Sequence, residues 1–149
     1  MNAARPDLVS VFERAPGLAQ RVAARISADA AANEIIAAAR AELARMSEAE
    51  RIAVLDAHPR IGADPATLSA TSRREQAAGD DPATLRDLAA LNEEYERRFG
   101  FRFVVWVNGR SKSALIPVLR SRLRYDRERE LATGIAEFLA IAADRLRSR

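Results

Sequence analysis

The sequence predicts an all-α fold: a single-domain helical bundle of about seven or eight helices, with one extended buried segment near 101–107. Three observations carry that expectation. Alanine and leucine dominate a composition that is 48% apolar and only 5% aromatic, and both favour helix over strand. Apolar residues return every three or four positions along most of the chain, the period of one helix face. Only "FRFVVWV" (101–107) has strand chemistry, and no second run is available to pair with it. A lone strand leaves its backbone unsatisfied, so this run is read as an extended segment threading between helices. A chain of 149 residues can bury one good core. Residues 1–149 are therefore read as one domain, without internal repeat or linker.

The elements follow in order. Pro6 suits a first helical turn, and Leu8, Val11, Phe12 and Ala15 share one face of a helix over 6–15. Pro16-Gly17 breaks it, and Leu18, Val22 and Ile26 mark a short second helix. A third, from about Asp29 to Arg45, carries Ile35, Ile36, Ala39, Leu43 and Met46 on one stripe. Ser47 and Glu50 form a capping box that opens a fourth helix, running to about Ala57. Pro59 disfavours helical backbone at His58, which places the imidazole at the helix exit. "RIGADPATLSA" reads as a loop with possible single turns, and "TSRREQAAG" as a short helix stopped by Gly79. Asp81-Pro82 starts the next helix as cap and first turn. Leu85, Leu88, Asn92, Tyr95 and Phe99 line it, and Gly100 ends it. After Asn108-Gly109, Leu115, Leu119 and Leu123 mark a helix over 111–123, which Pro117 should kink or delay. Asp126 caps a long last helix with Leu131, Ile135, Phe138, Leu139, Ala142 and Leu146 on its apolar face.

Composition removes several function classes. There is no cysteine, so disulfides and thiolate metal sites are out. One histidine leaves only carboxylates as companion metal ligands, which argues against a metal role. Neither a signal-type nor a membrane-spanning apolar run is visible, and the C-terminal "RLRSR" is not a peroxisomal address. A cytoplasmic protein without a membrane partner is the expectation. The formal charge of +3 comes from 24 basic and 21 acidic residues, and Lys112 is the only lysine. Both signs are interspersed, as on an ordinary solvated surface.

Four stretches carry candidate chemistry. His58 in "LDAHPRIG" (55–62) is either a plain helix-end histidine, whose charge the helix dipole favours, or a general acid/base, because imidazole titrates near neutrality. Pro59 would stiffen it, and Gly62 would let a ligand come close. In "SRREQ" (72–76), Ser72 and Gln76 share a helix face. Ser72 and Glu75 are a capping box on the plain reading. On the functional one, Ser72, Glu75 and Gln76 together grip an amide-rich ligand. "NGRSK" (108–112) could be an anion loop at a helix start, a weak signal. The five arginines between Arg120 and Arg129 are best explained as a solvated helix face. RNA contact is the sharper alternative, without stacking aromatics to support it.

Taken in order, "LDAHPRIG", "SRREQ", "LNEEYERRFGFRFVVWVNGRSKSALIPVLRSRL" and "ELATGIAEFLAIAADRL" closely resemble the 2-oxo-4-hydroxy-4-carboxy-5-ureidoimidazoline (OHCU) decarboxylases of the urate-to-allantoin pathway. The resemblance runs from about Phe12 to the end. It implies an all-helical, usually dimeric enzyme that uses neither metal nor organic cofactor. It implies that His58 is catalytic together with Glu75, and that Pro59, Ser72 and Gln76 bind substrate with the segment Phe103, Val104, Val105, Trp106 and Val107. The expected partner is a small ureidoimidazoline, with no nucleic acid. The chain departs from the family pattern at "APG" (15–17), where "SPW" is common, in lacking "RPF", and in the acidic pair after Gly79. Trp106 and Val107 are bulky where smaller residues are frequent. Two alternatives stand beside this reading: a decarboxylase for a related ureido ring, and a non-catalytic helical binding module whose contact face is Arg120–Arg129.

Overall fold

The computed structural model describes residues 7–76 and 81–148. Among the described residues there are eight α-helices and no strand. They are α1 (Leu8–Val11), α2 (Pro16–Ala23), α3 (Ala32–Arg45), α4 (Glu48–Asp56), α5 (Ala70–Glu75), α6 (Pro82–Phe99), α7 (Lys112–Arg122) and α8 (Arg127–Arg147), with a 3-10 turn at Pro65–Thr67. The expectations placed on Pro6 and Gly79 lie outside the described residues.

Most starts and stops obey local chemistry. The Ser47–Glu50 capping box is formed in both directions, at 3.1 and 3.0 Å. Asp81, Ser111 and Asp126 each cap the helix that follows, and Gly100 turns the chain out of α6 at φ +82°. Three expectations need correction. The first helix ends at Val11 rather than Ala15, because Glu13 and Arg14 adopt left-handed backbone, φ +42° and +58°. Pro16-Gly17 opens α2 instead of breaking a helix, with Pro16 at the position where its missing N–H costs nothing. Pro117 sits inside a continuous α7 without delaying it. It is the sixth of the eleven residues of α7, an interior position where it removes one backbone bond.

α8 is the spine of the bundle and packs on α1, α3 and α4. Its face of Leu131, Phe138, Leu139, Ile141, Ala142 and Leu146 is buried. At Gly134, α4 comes so near that an added Cβ would lie 3.1 Å from Leu55 Cδ1. α6 pairs with α7, and the segment 101–107 runs buried beside them, with Phe101, Phe103, Val104 and Val105 all in the core.

That segment is held without a partner strand. The Arg102 amide donates to Asp56 Oδ1 at 3.0 Å, and the Arg102 guanidinium donates to the carbonyls of Asp56 and His58. Arg122 donates to the Val104 carbonyl at 2.7 Å and to Glu130 Oε1 at 2.8 Å. The Tyr95 hydroxyl donates to the same Glu130 oxygen at 2.6 Å. Arg122 also lies over the Phe103 ring, 4.5 Å from its centroid, where the ring's negative face attracts a cation. Side chains thus supply the partners that buried backbone requires. Arg122 was expected on a solvated face; it is buried because it serves this segment.

Candidate active site

The chain at the exit of α4 is fixed from several sides. The His58 amide donates to the Leu55 carbonyl at 3.0 Å, closing the last turn. Gly62, at φ +85°, turns the chain after Ile61. Its open side faces Leu85 and Leu88 rather than the cavity described below, so its role is the turn and close packing, not room for a ligand. Gln76 accepts from the Gly62 amide at 2.9 Å, and Asn92 donates to the Ile61 carbonyl at 3.1 Å. α5 and α6 therefore both hold the loop that carries His58.

The imidazole is 6% exposed and meets the Phe138 ring edge-on, with centroids 5.3 Å apart at 78°. Among the described residues, neither ring nitrogen has a hydrogen-bond partner. Burial pushes its pKa from 6.5 down to about 3; the positive charge of Arg145 adds to that, and Glu13 opposes it. At neutral pH the ring is uncharged and uncommitted.

His58 forms part of the wall of a cavity of about 360 Å³. Every site residue expected from the sequence lines it: His58 and Pro59 from the α4 exit, Ser72, Glu75 and Gln76 from α5, and 103–107 from the buried segment. Sequence positions 58 and 75 are thus brought to one chamber. They do not touch each other through a hydrogen bond. Glu75 is gripped by Arg145, with Nη2 to Oε1 at 2.8 Å and Nε to Oε2 at 3.2 Å, the two-point geometry an arginine fork favours.

Ser72 is not the capping residue of its helix. Ser69 caps α5 by accepting from the Ser72 amide at 3.1 Å, and the buried Ser72 hydroxyl donates to Glu13 Oε1. The anion-loop reading of 108–112 also changes. Arg110 folds back onto the Val107 and Trp106 carbonyls, and Lys112 is buried, so these cations serve the chain itself.

Sequence reasoning missed two residues. Glu13, 2% exposed, accepts from Ser69, Ser72 and Arg145. Burial would raise its pKa, but the Ser72 hydroxyl and the Arg145 charge outweigh that and hold it below the usual carboxylate value. Arg145, 3% exposed, links Glu13 to Glu75. One signal was available: Arg145 falls seven residues after Phe138, on the buried stripe of α8, where a charge must be paired. Among the described residues, no group of three or more histidines, aspartates or glutamates is placed to hold a metal ion.

Comparison with known proteins gives the family and the fold. The family model described as OHCU decarboxylase matches residues 2–147. A uric acid degradation bifunctional protein, PucL, of Bacillus subtilis (strain 168) is 34% identical over 92 residues, which are 60% of this chain and 19% of that protein. A 2-oxo-4-hydroxy-4-carboxy-5-ureidoimidazoline decarboxylase of Halalkalicoccus jeotgali is 33% identical over 104 residues, 67% of this chain and 58% of that one. The chain therefore spans less than two thirds of the length of either relative. The crystal structure of an OHCU decarboxylase in the presence of (S)-allantoin superposes with a TM-score of 0.77 at 23% identity, covering 95% of both chains, and shows the shared fold. The matched model covers nearly the whole sequence, and the chain belongs to the OHCU decarboxylase family.

Proposed function

We propose that the protein decarboxylates 2-oxo-4-hydroxy-4-carboxy-5-ureidoimidazoline to (S)-allantoin without a cofactor, with His58 as acid/base. The observation that carries this reading is a neutral, buried imidazole with both nitrogens unengaged, on the wall of a cavity otherwise built from the α5 polar cluster and the 103–107 segment. Family membership supports it.

The substrate bears a hydroxyl and a carboxylate on one ring carbon, next to an imine carbon. As CO₂ leaves, the electron pair of the broken C–C bond moves between the two ring carbons, and the imine π pair moves onto nitrogen. The ring is its own electron sink. The hydroxyl then loses its proton to become the carbonyl, the former imine carbon gains one, and the ring nitrogen takes up a proton from solvent. His58 carries the hydroxyl proton to one face of that carbon. Glu75 fixes the ring or takes part in that proton's path, and Ser72, Gln76 and the main chain of 103–107 bind the ureido and ring amides. Holding the reactants in one geometry lowers the entropic part of the barrier. In this reading the active form is a homodimer and works in the cytoplasm, which cell fractionation checks. No helix among the described residues is long and apolar enough to cross a membrane.

The test generates the substrate in situ from urate and follows circular dichroism at the allantoin band. Uncatalysed decay gives racemic product and no lasting signal. A fast, one-signed signal is expected, with turnover in His58→Gln lower by about 10²–10⁴-fold, the usual contribution of a positioned acid/base. A flat trace from folded protein overturns the substrate; a loss under about tenfold overturns the role of His58.

A further inference from the structure

Glu13 is not among the site residues read from the sequence, yet it is buried and accepts from Ser69, Ser72 and Arg145. We propose that Glu13 is a positioning residue: its carboxylate ties α5 to the α1–α2 turn and, through Arg145, sets the place of the Glu75 carboxylate opposite His58. The proposal rests on the decarboxylase reading for what Glu75 does, and on geometry alone for what Glu13 does.

α5 needs such a tie. It spans only Ala70–Glu75 and packs sparsely on the other helices, so little apolar burial holds it. Its attachments are polar. The Ser69 and Ser72 hydroxyls both donate to Glu13 Oε1, Glu75 is held by Arg145, and Gln76 by the Gly62 amide. Just before it, the Thr67 carbonyl accepts from Arg14 at 3.4 Å. One carboxylate oxygen thus gathers the cap and the first turn of the helix that contributes Ser72, Glu75 and Gln76 to the cavity.

The same oxygen stands behind Arg145. That guanidinium donates to Glu13 at 3.3 Å, to the Ser10 carbonyl at 3.0 Å and to Glu75 at 2.8 Å. Its plane is fixed by the first two, and the plane dictates where the Glu75 oxygens lie. The chain adopts left-handed backbone at both Glu13 and Arg14 to deliver this carboxylate, a conformation that non-glycine residues hold only when surrounding contacts enforce it.

The experiment compares wild type, Glu13→Gln and Val22→Ala, the last a core truncation away from the cavity. Glutamine keeps the size and an acceptor but loses the charge that Arg145 faces. Hydrogen exchange read by mass spectrometry over 68–76 should rise by about tenfold or more in Glu13→Gln and stay at the wild-type rate in Val22→Ala, since local opening has its own free energy. With the ureidoimidazoline substrate, kcat should fall by about 10²-fold with KM little changed, the size of effect a misplacement near 1 Å produces. A merely structural Glu13 predicts the opposite: lost thermal stability in both variants, with α5 exchange and kcat per folded molecule unchanged. That result overturns the proposal. Should Glu13→Gln not fold, Ser72→Ala removes one link to Glu13 while adding a better helix former; unchanged α5 exchange in that variant also overturns it. The exchange readout needs no substrate, so failure of the decarboxylase reading and failure of this inference are separable.

Discussion

Lowering the pH from about 8 to about 5.5 should destabilise the fold by about 1.4 kcal/mol through His58 alone. The unfolded imidazole titrates at 6.5, and the folded one is pushed down to about 3. Because the folded pKa is the lower, the unfolded chain binds more protons between these values. Stability is present in full above 6.5 and is lost as pH falls towards 3. At about pH 5.5 roughly ten unfolded imidazoles are protonated for each neutral one, while the folded ring stays neutral, which gives the figure above. The chain has one histidine, so little else titrates in this window. Glu13, Glu42, Glu50 and Glu96 are all held below the usual glutamate pKa by the groups they accept from, and their contributions are lost mainly further down. Urea melts at several pH values read the effect. With a slope of about 1–3 kcal/mol per molar urea, the midpoint should drop by roughly 0.5–1.4 M in wild type. It should stay nearly level in His58→Gln. Parallel curves for the two proteins would refute a desolvated, neutral His58 and remove the starting point of the proposed chemistry.

Two further outcomes are expected. Glu130→Gln leaves the buried Arg122 without its counter-charge and should cost about 3–5 kcal/mol in denaturant melts, while Arg122→Met/Glu130→Leu recovers only part of it, since it leaves the Val104 carbonyl and the Tyr95 hydroxyl without their partners. Light scattering on the 16.4 kDa chain should give the mass of two copies; a monomer that turns over substrate at full rate removes the dimer from the functional reading.

The helices were readable because each is written twice, once in its apolar period and again in its caps. Ser47, Asp81, Gly100 and Asp126 are local signals, and the structure uses all four. Misplacements arose where tertiary demands override local ones. Nothing near Phe12 announces that the chain turns left-handed at Glu13 and Arg14, because the reason lies at Ser69, Ser72 and Arg145, far along the sequence. Ser72 with Glu75 matches a capping box and Ser69 does not, yet Ser69 is the cap and the Ser72 hydroxyl turns to Glu13. The segment 101–107 was legible as a puzzle, a strand without a partner. Its solution, carbonyls served by Arg110 and Arg122 and an amide served by Asp56, depends on side chains whose reach no periodicity encodes.

The electrostatics of the cavity also constrain the order of events in the proposed reaction. Glu13 and Glu75 both pair with Arg145, and Arg14 stands 3.9 Å from the other Glu13 oxygen, so the Glu13 carboxylate next to His58 is countered by cations. Glu13 does not protonate the imidazole at rest, because desolvation, with the Arg145 charge added to it, dominates its pKa. So weak a base cannot first strip a proton from the substrate hydroxyl, a far weaker acid. Proton transfer must therefore accompany or follow the loss of CO₂, when the electron pair from the broken bond has entered the ring and the hydroxyl is on its way to a carbonyl. Once formed, the imidazolium sits where burial disfavours charge, and it is a strong donor to carbon for that reason. The Glu13 carboxylate moderates the cost during its brief existence. Burial that looks unsuited to a base is thus suited to a proton carrier that must receive late and release at once. The ring nitrogens have no protein partner to satisfy, which leaves both free for that exchange.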